Sequence, residues 1–70
     1  MDPRTKFADN VEAQRREAGL TQEKVALESG LALSEISRIE SGNRDVRLTT
    51  IVKVAKGLGV PAGDLLEGLP

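Results

Sequence analysis

The chain has 70 residues, no cysteine, no histidine and one aromatic side chain, Phe7. That is the length of a single domain with an aliphatic core, without disulfides or thiolate or imidazole metal ligands to staple it, and neither a metal nor a cofactor is expected. A formal net charge of −1 singles out no partner. No run is long and apolar enough for a membrane span and no charged-then-apolar secretory signal opens the chain, so a cytoplasmic protein is expected.

Residues 1–5 read as a loose lead-in to a first helix over about 6–18, with Phe7, Ala8, Val11, Arg15 and Ala18 on its inward stripe. Gly19 closes it, and Leu20 turns back onto the core. Thr21 is the N-cap candidate of a second helix over about 22–29, with Glu23 at the positive end of its dipole. Val25 and Ala26 face inward, and Gly30 makes the turn.

A third helix follows over about 33–41, with Ile36 and Ile39 buried. Ser34, Ser37, Arg38 and Ser41 recur at helical spacing as a separate outward stripe. Local chemistry selects Ser34 as its cap, because Ala32 has no side-chain acceptor. The Ser41–Asp45 stretch is a turn-rich loop. A fourth helix over about 48–58 carries the stripe Leu48, Ile51, Val52, Ala55 and Leu58, with Gly57 and Gly59 ending it. Val60–Pro61 opens a short fifth helix over about 61–67, docked by Leu65 and Leu66. The fold expected is all-α, a compact five-helix domain spanning residues 1–70.

Two helices joined by a short glycine turn within such a set suggest a helix-turn-helix. Its demands are a small residue where the helices cross, a glycine in the turn and apolar residues fixing the crossing angle. Ala26, Gly30, Val25, Leu31, Ile36 and Ile39 meet them. The third helix then offers a narrow polar face for a DNA major groove. Charge agrees: between Arg38 and Lys56, five bases stand against Glu40 and Asp45.

Leu20-Thr21-Gln22, Ala26, Gly30, Ile36-Ser37-Arg38-Ile39-Glu40, Gly42 and the Leu48 to Val60 helix resemble the phage-repressor and Cro type of helix-turn-helix protein, the xenobiotic-response-element family. The resemblance spans roughly Phe7 to Leu66. It implies that Thr21 and Gln22 contact a DNA phosphate and that Leu33, Ser34, Ser37 and Arg38 occupy recognition positions. Asn43, Arg44 and Arg47 would hold the DNA backbone or reach a minor groove. Arg15 and Glu40 would form a buried ion pair between the first and third helices. Ala32 stands where the family usually has a capping Ser or Thr, Leu33 where a polar base-reader is common, and Arg47 where the fourth helix usually has a small cap.

Each position also has a plainer reading. Arg38 can pair with Glu35 three residues earlier, the serines can be solvated, and Leu33 can cover Leu31. Leu65, Leu66 and Leu69 exceed what docking one short helix needs, so part of that surface is expected to form a dimer interface.

The function expected is a sequence-specific DNA-binding transcription regulator, a homodimer on a palindromic operator in double-stranded DNA. The alternative is an antitoxin-like module that masks a partner protein, with the acidic residues Asp9, Glu12 and Glu17 of the first helix and the leucine-rich tail as its surface. A toxin or a polymerase would be such a protein partner. An acyl-carrier-like protein needs a modifiable Asp-Ser-Leu, which does not occur. An enzyme is disfavoured by the lack of His, Cys and any convergent carboxylate pair.

Overall fold

Asp2 opens the first helix. Its carboxylate accepts a hydrogen bond from the Arg4 amide at 2.9 Å, and Pro3 occupies the first turn, where its missing N–H costs nothing. In the computed structural model, which describes residues 2–70, α1 therefore spans Pro3–Glu17. The expected lead-in is helix from Pro3 onward because Asp2-Pro3 is a start signal. Phe7, Ala8 and Val11 are buried, whereas Ala18 is exposed at the C-cap, beyond the reach of the core.

α2 (Gln22–Ser29) is capped by Thr21, whose hydroxyl oxygen accepts from the Lys24 amide at 3.1 Å. It ends at Gly30, where φ is 74°, a left-handed conformation that only glycine adopts cheaply. That turn lets the Leu31 amide return to the Ala26 carbonyl at 3.1 Å and redirects the chain into α3 (Leu33–Glu40). α3 starts from Ala32, which holds the cap conformation (φ −70°, ψ 150°) but supplies no side-chain hydrogen bond. Ser34 is thus inside the helix and is not its cap: the Gly30-Leu31 turn sets the helix start, overriding the better capping side chain.

α4 (Leu48–Leu58) ends at Gly59, in the left-handed region. Gly57 lies within it. Its buried side is Val54, Ala55, Gly57 and Leu58, with Ile51 partly covered. Leu48 and Val52, expected inside, are 71 % and 52 % exposed. α2 packs closely against α4 on the Gly57 side, which turns the buried face away from Leu48 and Val52. Pro61 then leads into a 3₁₀ turn, Ala62–Leu66, tighter than the α-helix expected over 61–67. The Asn10 side-chain amide donates to the Leu65 carbonyl at 2.9 Å and the Glu67 carbonyl at 2.8 Å, tying this turn to α1.

All the elements meet at one core. Ile36, Ile39, Leu65, Val11, Val25 and Val54 are its largest fully enclosed side chains, and Phe7 is its aromatic member. Each such burial contributes about 1.5–3 kcal/mol relative to exposure. Among the described residues there is no strand, and no helix is long and apolar enough to cross a membrane.

Candidate nucleic-acid interface

The α2–α3 pair is held from behind. Val25 and Ile36 have no exposed surface, Ile39 has 2 % and Ala26 has 6 %, while Leu31 is half-buried beside the turn. Fixing Ile36 and Ile39 inward fixes what points outward, because side chains on a helix advance by a constant angle. Ser34, Ser37 and Arg38 are exposed on that outward side. Leu33 is exposed too, at 45 %.

Arg38 has no acidic partner among the described residues. The plainer pairing with Glu35 does not form: Glu35 lies 3.6 Å from Arg44 instead. Arg38 therefore keeps its donors free, as a bidentate contact to a guanine edge requires. Asn43, Arg44 and Arg47 are all exposed around the α3–α4 loop. Arg44, Asp45, Val46 and Arg47 of that loop form, with Glu35 and Thr50, an open polar cleft of about 290 Å³. Glu35 and Asp45 carry no signal in the chain pattern, since the loop geometry that gathers them is not periodic.

At the start of α2, Thr21 accepts a backbone hydrogen bond but retains its own O–H as a donor. Gln22 is already engaged, donating to Glu40 at 3.1 Å. A phosphate contact by the Gln22 amide would have to compete with that carboxylate. The starts of α3 and α4 (at Ala32 and Arg47) lack side-chain caps, leaving first-turn amides without a side-chain acceptor at helix ends where anions are favoured.

Residues 11–65 match the sequence model described as helix-turn-helix. The chain belongs to the Cro-type helix-turn-helix family. It is 38 % identical over 66 residues to the uncharacterized HTH-type transcriptional regulator y4dJ of Sinorhizobium fredii, covering 94 % of this chain and 86 % of that one. It is 46 % identical over 50 residues to the control protein C.BamHI of Bacillus amyloliquefaciens, covering 71 % of this chain and 62 % of that protein. Its fold superimposes on the crystal structure of the restriction-modification controller protein C.AhdI from Aeromonas hydrophila with a TM-score of 0.84. The identity there is 35 %, over 89 % of this chain and 94 % of that one.

Behind this helix-turn-helix, Arg15 clamps α1 to α3. Its Nε donates to Glu40 Oε2 at 2.7 Å, its Nη2 to Glu40 Oε1 at 3.1 Å, and its Nη1 to the Leu20 carbonyl at 3.0 Å. The Arg15 and Glu40 side chains are only 14 % and 4 % exposed. Hydrogen bonding to Glu40 raises the Arg15 pKa above the ordinary arginine value. With Gln22 on the same carboxylate, three elements of the helix-turn-helix domain converge on one buried charge.

The three C-terminal leucines do not act alike. Leu65 has no exposed surface and belongs to the core, so it has nothing to offer a partner; the tight 3₁₀ turn drives it inward. Leu66 is 40 % exposed and Leu69 is half-buried. Both line a shallow, mainly apolar groove of about 150 Å³ with Phe7, Val46 and Ile51. Leu48 and Val52 add apolar surface on the open side of α4. Among the described residues no cluster of His, Cys, Asp or Glu could hold a metal ion.

Proposed function

We propose that this protein is a sequence-specific DNA-binding regulator of transcription that acts as a homodimer on a palindromic operator, with α3 in the major groove. The observation that carries this reading is the outward face of α3: Arg38 without an acidic partner among the described residues, together with exposed Ser34, Ser37 and Leu33. These are a guanine-reading donor pair, two adaptable hydroxyls and an apolar group suited to a thymine methyl. Similarity to HTH-type transcriptional regulators and control proteins supports it. Thr21, Asn43, Arg44 and Arg47 then hold phosphates on either side and set the register, without reading sequence.

Exposed Leu48, Val52 and Leu66 are apolar surface that a second copy would cover. Dimerisation would place two α3 helices about 34 Å apart, one turn of the duplex, on the same DNA face.

Selection of bound duplexes from random DNA at low and at high salt tests the proposal. The expected result is a palindromic consensus that persists at high salt. Binding that yields no consensus and disappears with salt would overturn it and direct attention to a protein partner.

A further inference from the structure

Glu35 lies on the flank of α3, between the base-reading face and the loop. Its carboxylate is 3.6 Å from the Arg44 guanidinium, and the two side chains are 34 % and 44 % exposed. The cleft they share contains two acids and two bases, Glu35 and Asp45 against Arg44 and Arg47. A surface built only to hold phosphates would be basic there; this one is balanced. The geometry points to Glu35 as a residue that restrains Arg44 and so lowers the affinity for DNA of any sequence. This rests on the DNA-binding reading above.

The argument is one of competition for a single cation. A long, half-exposed ion pair is weak enough for a phosphate to displace the carboxylate. Displacement, however, leaves Glu35 unpaired beside a polyanion, so Arg44 gains less from every phosphate than a free arginine would. Sequence-independent affinity comes from such phosphate contacts, so it bears this loss in full. Arg38, which Glu35 does not engage, keeps its base-reading contacts. Operator and random DNA share the Arg44 phosphate contact, so both lose affinity by the same factor and their ratio stays with Arg38.

Glu35→Gln removes the charge and retains the size. The expected result is about fivefold tighter binding to operator and random-sequence duplexes alike, and a salt slope steeper by about 0.9. Thermal unfolding of the variant alone should match the parent, as both groups are partly solvated. In an Arg44→Ala background the same substitution should tighten binding clearly less, because the restrained cation is gone and only the carboxylate's own repulsion of phosphate is relieved. Unchanged or weaker random-DNA binding by Glu35→Gln would overturn the inference. So would tightening that persists undiminished in the Arg44→Ala background. A parent protein that binds no duplex at all would instead overturn the DNA-binding reading itself.

Discussion

The backbone of Gly57 on α4 lies so close to Val25 on α2 that a β-carbon added at Gly57 would stand 2.9 Å from the Val25 carbonyl oxygen. The same atom would be 2.9 Å from the Ser29 β-carbon and 3.1 Å from the Ser29 amide. Two of these three neighbours are backbone and cannot rotate aside. The helix-turn-helix is mounted on α4 through this contact.

Gly57→Ala should therefore destabilise the domain by about 1–3 kcal/mol, although alanine is the better helix former by about 1 kcal/mol. Gly63→Ala, with open space around it, is the control and should leave stability within about 0.5 kcal/mol of the parent. Urea unfolding of both variants checks this. Equal midpoints would mean that the two helices separate easily.

Removal of Arg15 should be more damaging than removal of a surface arginine. Arg15→Ala leaves Glu40, only 4 % exposed, without its main partner, at a cost of about 3–5 kcal/mol. Gln22→Ala removes one hydrogen bond to the same carboxylate and should cost about 1 kcal/mol. Replacing both charges, as Arg15→Met with Glu40→Leu, should recover most of the loss. A double-mutant cycle in urea measures the coupling; additive losses would show that the pair contributes no interaction of its own.

Ala32 already has the backbone conformation of an N-cap and lacks only the acceptor. Ala32→Thr should stabilise the fold by about 1 kcal/mol, a rise in Tm of about 4–8 °C for a domain of this size. Calorimetry decides this. A flat response would mean that solvent already satisfies the first-turn amides of α3 equally well.

Much of this architecture was legible in the chain. The capping threonine and the glycine turn locate α2 and the start of α3 within a residue or two, because each has a local physical cause. The exposed sector of Ser34, Ser37 and Arg38 follows from burying Ile36 and Ile39. What was not legible depended on which neighbour arrives on which side. Leu48-Ile51-Val52-Ala55-Leu58 and Ile51-Val54-Ala55-Leu58 are both sound helical stripes, and only the approach of α2 at Gly57 selects the second. Similarly, Glu35 has an arginine three residues on and another nine residues on. The loop brings the distant one, Arg44, to the carboxylate and leaves the near one, Arg38, free.

Arg38→Ala and Arg44→Ala should differ in kind. The first should relax preference at one base position by about 1–3 kcal/mol. The second should weaken all sequences alike and flatten the salt slope. Competition binding with single-base operator variants at two salt concentrations separates them. A uniform loss in both would remove Arg38 from base reading.

Asp2 links the start of α1 to pH. Hydrogen bonds from the Arg4 side chain and then the Arg4 amide hold its carboxyl below the ordinary value of 3.8. The folded-state pKa is depressed, so the cap is fully effective above that value and is lost as pH falls through the lower one. Amide exchange at Arg4 should accelerate across that acidic window while the core amides stay protected. Asp2→Asn, which caps without ionising, should remove the dependence.

Asn10 has a wider consequence than holding a turn. Its two donated hydrogen bonds span 55 and 57 residues of chain, among the most distant contacts a domain this short can make. Closing a loop of that length carries an entropic cost that the short-range contacts of the helices do not meet. The segment they secure also carries Leu66 and Leu69, part of the surface proposed for a second copy. Loss of the Asn10 bonds would therefore loosen that surface along with the turn. If the proposed dimer uses that surface, one asparagine on α1 couples the far end of the chain to assembly, and its effect grows as the protein is diluted.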